Sequence, residues 1–159
     1  MIALGSNRPH QRYGGPRDVL AAALGALEDA GVEVVEQAPV LLSDAVGPSL
    51  RRYANSAAVV ATSLEPPELL LLLKSIERSF GRRAGGQRWT SRVLDLDVIL
   101  WSGGAYAAPD LIIPHPLFRI RDFVLRPAAS IAAEWRDPVT HLSVRQLSAR
   151  LTRKTRLRR

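Results

Sequence analysis

Gln87-Arg88-Trp89-Thr90-Ser91-Arg92-Val93-Leu94-Asp95-Leu96-Asp97-Val98-Ile99-Leu100 runs from a basic segment straight into an apolar one. Within the apolar part, Leu94, Leu96 and Val98 alternate with Asp95 and Asp97. Side chains of a strand point to opposite faces in turn. The pattern therefore predicts a strand with leucine and valine on one face and both acids on the other. Two carboxylates about 6 to 7 Å apart on one strand face form a ready cation site. Arg82, Arg83, Arg88 and Arg92 precede them closely. Carboxylates for Mg2+ beside guanidiniums for phosphate suit phosphoryl transfer. The plainer reading is an edge strand with a solvated polar face and a basic loop. This stretch alone leaves both open.

The neighbouring segments set the fold class. Ile2-Ala3-Leu4 reads as a short buried strand stopped by Gly5-Ser6-Asn7. Leu20, Ala23, Leu24 and Leu27 recur at helical spacing, Pro16 suits a first turn and Gly31 a stop, which predicts a helix over 17–30. Val32 to Val40 reads as a half-exposed strand, 41–52 as a long loop, and Tyr53 to Thr62 as a strand. Pro66-Pro67 opens a second helix over 66–80. Its apolar stripe is Leu69, Leu72, Leu73, Ile76 and Phe80, widened by Leu70 and Leu71. Val93 to Trp101 is expected as the central strand, with Tyr106 to Ala108 as a short hairpin partner. A short helix over 128–135 and a last helix over 143–151, with Val144, Leu147 and Leu151 inward, complete the chain. Strands and helices in this order predict a two-layer α+β sandwich with a mostly antiparallel sheet. A doubly wound sheet does not fit, since 41–65 contains no crossover helix.

Composition bounds the function. With 159 residues and 47% hydrophobic content the chain reads as one soluble domain over 1–151. Cysteine is absent, which removes disulfides, thiolate nucleophiles and cysteine-based metal sites and fits a reducing compartment. The longest apolar run, Leu69 to Leu73, is far too short to span a bilayer. The net charge of +7 is local. Seven basic residues and no acid lie in 143–159, and the remainder holds 15 of each sign. The charge therefore describes a basic tail, expected to fray over 152–159, and not a nucleic-acid-binding face. No glycine-rich loop ending in Lys-Ser or Lys-Thr occurs, so phosphates must be held by other means.

Several side chains outside the opening stretch invite a ligand. Tyr53 and Asn55 share a strand face and can stack on and hydrogen-bond to a planar heterocycle. An edge tyrosine with a turn asparagine is the plainer alternative. Gly85-Gly86 suits a loop that closes over a substrate, or simply a mobile one. His115 stands between Pro114 and Pro116 and could meet a nucleotide or phosphate.

Five ordered blocks carry a family resemblance. They are Ala3-Leu4-Gly5-Ser6-Asn7, Tyr53 with Asn55, Phe80-Gly81-Arg82, Arg88 through Asp97, and Ile113-Pro114-His115-Pro116 with Arg121-Asp122-Phe123-Val124-Leu125. Together they resemble the 6-hydroxymethyl-7,8-dihydropterin pyrophosphokinases over nearly the whole chain. The resemblance implies a ferredoxin-like sandwich, cytoplasmic and monomeric. It implies transfer of the pyrophosphoryl group of ATP to the hydroxymethyl oxygen of the pterin, leaving AMP. It further implies that Asp95 and Asp97 hold two Mg2+ ions and that Arg82 and Arg92 close on the phosphates. Arg88, Trp89, Ile99, Leu111, His115 and Arg121 would line the nucleotide. Tyr53 and Phe123 would sandwich the pterin, Asn55 would bond its edge, and Ser43 would approach it.

The chain departs from the family pattern at Thr90-Ser91, where glycine or alanine and proline are usual, and Thr90 restricts the backbone. It departs again at Asp110, where a basic residue is frequent, and at Ser43-Asp44, where a threonine–proline pair is usual. None of these touches Asp95, Asp97, Arg82 or Arg92. Two rival functions remain: a nucleic-acid module resting on the basic tail and arginine loop, and a silent scaffold in which both acids are surface residues. The first predicts strongly salt-dependent binding, but the local charge tally and the missing stacking platform argue against it.

Overall fold

The strand β1 (Ile2–Ser6) and the long strand β4 (Tyr53–Ala61) form the middle of the sheet in a computed structural model that describes residues 1–43, 53–81 and 93–156. Between them in the chain come α1 (Pro16–Asp29), β2 (Glu33–Gln37) and β3 (Leu41–Ser43). After β4 follow α2 (Pro66–Ser79), β5 (Asp95–Val98) and a small hairpin of β6 (Tyr106–Ala108) with β7 (Leu111–Ile113). A 3-10 turn at Phe118–Ile120, α3 (Asp122–Ile131) and α4 (Val144–Arg156) close the chain. The sheet order is β2-β4-β1-β5, with β3 also paired to β4, and every pairing is antiparallel. Leaving β3 aside, this is a βαββαβ arrangement, as the α+β reading requires.

Register follows from burial. Ile2 and Leu4 of β1 face Val98 and Leu96 of β5, and all four join Leu20, Leu24, Leu27, Leu73 and Phe80 in one core under α1 and α2. Ala3 and Ala57 point to the opposite face and join Phe118, Val124, Leu125, Val144 and Leu147 in a second core. The sheet is thus helix-covered on both faces. The two-layer expectation captures α1 and α2 on the sheet, and α3 with α4 adds a further helical layer.

Local chemistry marks the element ends. Pro16 and Pro66 open their helices, where a missing backbone N–H costs nothing. Asp18 accepts from the Gly15 N–H at 3.0 Å and Glu68 from the Glu65 N–H at 2.9 Å. Gly31 and Gly81 end α1 and α2 with positive φ.

Some expectations need correction. The strand expected over 93–101 is four residues long and lies at the sheet's edge, because β1 pairs with it on one side while Ile99 and Leu100 turn their N–H groups to the Met1 carbonyl at 2.9 and 3.4 Å. The loop expected from 41 begins with β3, since Leu41, Leu42 and Ser43 pair with Asn55, Ala54 and Tyr53. β2 is shorter than 32–40, and its register shifts between Val34 and Glu36. The partner of β6 is β7, not the preceding strand. The helix expected over 128–135 starts at Asp122 and carries Pro127 within it. Leu71 is 67% exposed, so the stripe of α2 is narrower than its five-leucine run suggests. The last helix continues to Arg156, beyond the expected 151.

One polar lock secures the second core. Arg119 donates two 2.7 Å hydrogen bonds to the fully buried Asp137, which also accepts from the Val139 N–H at 3.0 Å and the Thr140 hydroxyl at 2.5 Å. Burial alone pushes the carboxyl up, but the Arg119, Thr140 and Val139 hydrogen bonds and the Arg119 charge outweigh it and bring it down from 3.8 to about 2. A depressed carboxyl stabilises the fold above its unfolded pKa and stops doing so as pH falls through the folded one, here between about 4 and about 2. Asp137→Asn is expected to lose about 2 kcal/mol at pH 7, with the gap to the parent closing as pH falls toward 2. Urea unfolding of both chains across that range measures it; a gap independent of pH would show that this carboxylate is not the acid-sensitive group.

Candidate active site

The pleat of β5 places the two acids as the alternation predicts. Leu94, Leu96 and Val98 are buried at 1%, 0% and 4% exposure, while Asp95 and Asp97 are partly exposed on the other face. Across the sheet, Asp95 lies opposite Gly5, and Gly5 opposite Asn55. Asp97 lies opposite Ala3, and Ala3 opposite Ala57. Two cross-strand rows result, Asn55–Gly5–Asp95 and Ala57–Ala3–Asp97. Neighbouring side chains in such rows lie about 5 Å apart. A methyl added at Gly5 would stand 3.6 Å from Asn55 Oδ1 and 4.0 Å from Asp95 Cβ. Gly5 therefore keeps the buried amide and the acid on either side of room for about one methyl.

The second helical layer brings further groups to this face. Arg121 caps the start of α3, and its guanidinium lies 5.8 Å from the Phe123 ring centroid. Phe123 is half-buried beside the core that holds Ala3 and Ala57. Tyr53, also half-buried, sits two residues before Asn55 on β4 and so shares its face.

His115 reports on the electrostatics. Its backbone N–H donates to the Ile99 carbonyl at 3.1 Å, tethering it to the end of β5. The Leu117 N–H donates to Nδ1 at 3.1 Å, so Nδ1 is an acceptor and the proton of the neutral ring sits on Nε2. Burial lowers the imidazole pKa. Asp97 raises it, Arg121 lowers it, Asp95 raises it and Lys74 lowers it, and the net result lies below the ordinary value. One imidazole thus feels both acids, Arg121 and a lysine of α2.

The site residues named from the sequence fall into groups. Asp95, Asp97, Asn55, Tyr53 and Phe123 belong to one face of the sheet, with His115 and Arg121 within electrostatic reach of the acids. Ile99 and Leu111 are buried in the two separate cores, and the Ile99 backbone bonds to Met1 and His115. Ser43 ends β3 opposite Tyr53. Arg82, Arg88, Trp89 and Arg92, with the departures at Asp44 and Thr90-Ser91, lie outside the described residues. Asp110 sits exposed in the turn between β6 and β7.

Two residues went unremarked in the sequence. Glu77 of α2 is completely buried, and its Oε1 accepts the Leu96 N–H at 2.8 Å. Lys74 Nζ lies 3.1 and 3.2 Å from the two Glu77 oxygens and 3.4 Å from the Leu96 carbonyl. The signal was present: a glutamate beside Ile76 on an apolar stripe must bury its charge against a partner.

No group of three or more His, Asp or Glu side chains poised to hold a metal occurs among the described residues. A divalent ion here would have two protein carboxylates and would take its remaining ligands from a bound anion. That donor set suits Mg2+, which keeps water and substrate phosphates in its shell.

The model of the family 7,8-dihydro-6-hydroxymethylpterin-pyrophosphokinase (HPPK) matches residues 1–133. A Synechocystis sp. protein named 2-amino-4-hydroxy-6-hydroxymethyldihydropteridine pyrophosphokinase is 41% identical over 118 residues, covering 74% of this chain and 60% of that protein. Proteins of the same name from Pseudomonas aeruginosa and Bacillus subtilis are 37% and 34% identical. Those matches cover 86% and 94% of this chain, and 82% and 87% of the two relatives. The chain thus spans less than two thirds of the Synechocystis relative and most of the other two.

Proposed function

The chain belongs to the 7,8-dihydro-6-hydroxymethylpterin-pyrophosphokinase family, and from that membership and the two cross-strand rows we propose that it moves the pyrophosphoryl group of ATP onto the hydroxymethyl oxygen of 6-hydroxymethyl-7,8-dihydropterin. In this reaction the hydroxymethyl oxygen bonds to the β-phosphorus, the bond from that phosphorus to the α–β bridging oxygen breaks, AMP departs and the hydroxyl proton goes to solvent. The observation that carries the reading is the row Asn55–Gly5–Asp95, which sets an amide suited to a planar ring and a carboxylate suited to a cation on either side of a glycine.

Each residue has a physical task in this scheme. Asn55 offers both a donor and an acceptor to a heterocycle edge. Tyr53 and Phe123 supply aromatic surface for its faces. Gly5 leaves the floor open. Asp95 and Asp97 would hold Mg2+, whose chemistry when bound is to neutralise the phosphates and favour the ionised hydroxymethyl oxygen. Arg121 adds a fixed positive charge at the rim, and a neutral His115 can donate from Nε2 to a phosphate or ribose oxygen. Arg82 and Arg92 keep the role of closing on the phosphates, and Arg88 and Trp89 that of lining the nucleotide, which family membership implies. Positioning and charge account for the acceleration, and no covalent nucleophile is required. A monomer in the cytoplasm fits this reading.

Incubation with ATP, Mg2+ and the hydroxymethyl-dihydropterin is expected to give AMP and the pterin diphosphate; ADP, or turnover without pterin, would sink the proposal. Asp95→Asn and Asp97→Asn are each expected to lower kcat by about a hundredfold or more while the chain melts normally. Full turnover in either variant would remove that residue from the metal site. Gly5→Ala is expected to keep turnover, since the added methyl makes ordinary contacts. Gly5→Leu is expected to raise the KM for pterin about tenfold or more by filling the gap, and an unchanged KM would place the pterin elsewhere.

A further inference from the structure

We propose that Lys74 and Glu77 of α2 act as a clamp on the open edge of β5, and that this clamp sets the positions of Asp95 and Asp97. The edge has a specific need. β5 pairs with β1 on one side only, through the opposed residues Ala3 with Asp97 and Gly5 with Asp95. Backbone groups of an antiparallel strand alternate in direction. Leu96 lies between the two acids, and its N–H and carbonyl point away from β1. In an unprotected sheet they would face water or another strand.

Here they meet side chains. Glu77 Oε1 accepts the Leu96 N–H at 2.8 Å, and Lys74 Nζ approaches the Leu96 carbonyl at 3.4 Å. The same Nζ binds both Glu77 oxygens at 3.1 and 3.2 Å. One acceptor and one donor, three residues apart on a helix, thus reproduce the pair of groups that a neighbouring strand would present. The arrangement is charged and largely dry, because Glu77 has no exposure and the Lys74 side chain is 33% exposed. A charge-assisted bond to a buried carboxylate is stronger and more directional than a bond to water. Its attachment point is the residue that separates the two acids.

The consequence is geometric. An edge strand held on one side can twist or shear, and either motion changes the spacing and tilt of two side chains on its far face. Held on both sides at Leu96, β5 presents Asp95 and Asp97 as a rigid pair. Such rigidity matters for Mg2+, which demands near-ideal octahedral geometry. Lys74 and Glu77 are therefore positioning residues, acting through Leu96 and not by contact with the reacting atoms. The helix that supplies them ends at Ser79, just before Arg82, so one element braces the acids and leads into the arginine segment.

The inference rests on the proposed reaction for its purpose but not for its test. Amide hydrogen exchange followed by NMR reads the clamp directly. In Glu77→Ala the Leu96 amide is expected to exchange roughly tenfold faster or more, with Asp95 and Asp97 accelerating alongside and the β4 amides unchanged. Glu77→Gln keeps an acceptor for Leu96 and is expected to retain most of the protection. Lys74→Met leaves the Leu96 N–H bond in place and covers the case in which Glu77→Ala does not fold; it too is expected to accelerate exchange at Asp95 and Asp97. Calorimetric titration of Mg2+ with a non-hydrolysable ATP analogue is expected to show weaker metal binding, by about tenfold, in Glu77→Ala or Lys74→Met, and near-parent binding in Glu77→Gln. Unchanged exchange at Leu96, Asp95 and Asp97 overturns the clamp, and faster exchange with unaltered Mg2+ affinity overturns its positioning role. A parent chain that exchanges as expected but gives no AMP overturns the proposed reaction and leaves the clamp standing.

Discussion

The pleat of β5 is the constraint from which the rest follows. Leu94, Leu96 and Val98 must reach the core that Ile2 and Leu4 share with α1 and α2. Once they do, Asp95 and Asp97 have only the opposite face to occupy. A slip of one residue would drive both carboxylates into that core, at a cost of several kcal/mol each. The site is therefore placed by burial of its apolar neighbours. No attraction between the acids and a ligand is needed to put the pair on that face.

The same alternation explains the floor of the site. Where β1 points Ile2 and Leu4 inward, it points Ala3 and Gly5 outward, and β4 answers with Ala57 and Asn55. Ala3 and Ala57 are small enough for the second core to pack on them, with Phe118, Val124 and Leu125 in the same cluster. One row along, the small residue is Gly5, its neighbours are polar, and that core stops short. The boundary between a covered and an open sheet face thus falls between two adjacent rows. Gly5 has no positive φ to justify it, and glycine weakens a strand interior. Room for about one methyl beside Asn55 and Asp95 is what it contributes.

These features were unevenly legible in the sequence. Periodicity found the three longest helices with small errors and put both acids on one face, because burial imposes a strict repeat. It placed the acid-bearing strand at the centre of the sheet, because an edge strand with one face against a helical layer is as apolar on that side as a central one. β3 was read as loop since three residues carry too little pattern, and its pairing to β4 is a tertiary matter. The start of α3 was missed because Pro127 reads as a breaker, and it does stand inside the helix, where it cannot donate to the Phe123 carbonyl, while burial of Val124, Leu125 and Ala128 holds the helix together. Residue chemistry and alternation singled out Tyr53, Asn55 and His115 without naming a ligand, while Arg121 and Phe123 entered as site candidates only through family resemblance. Lys74 and Glu77 escaped both routes. Their function lies in a contact between α2 and the backbone of Leu96, and no residue pattern names a backbone partner.

Charge separates the two kinds of acid in this fold. Glu77 is the more deeply buried, but Lys74 neutralises it at close range, so the pair contributes little net field at a distance. Asp95 and Asp97 are more exposed, on the face of β5 away from the first core. Two like charges on one strand face repel each other, and partial exposure to solvent weakens that repulsion. Arg121 stands near enough to shift His115, yet its guanidinium lies over Phe123. The local balance is a negative floor with a positive rim. A bare polyanion meets repulsion at that floor, whereas a polyanion arriving with divalent ions meets attraction at both levels. Under the proposed reaction this distinction would favour a nucleotide arriving with divalent ions over nucleic acid, with Glu77 neutralised by Lys74.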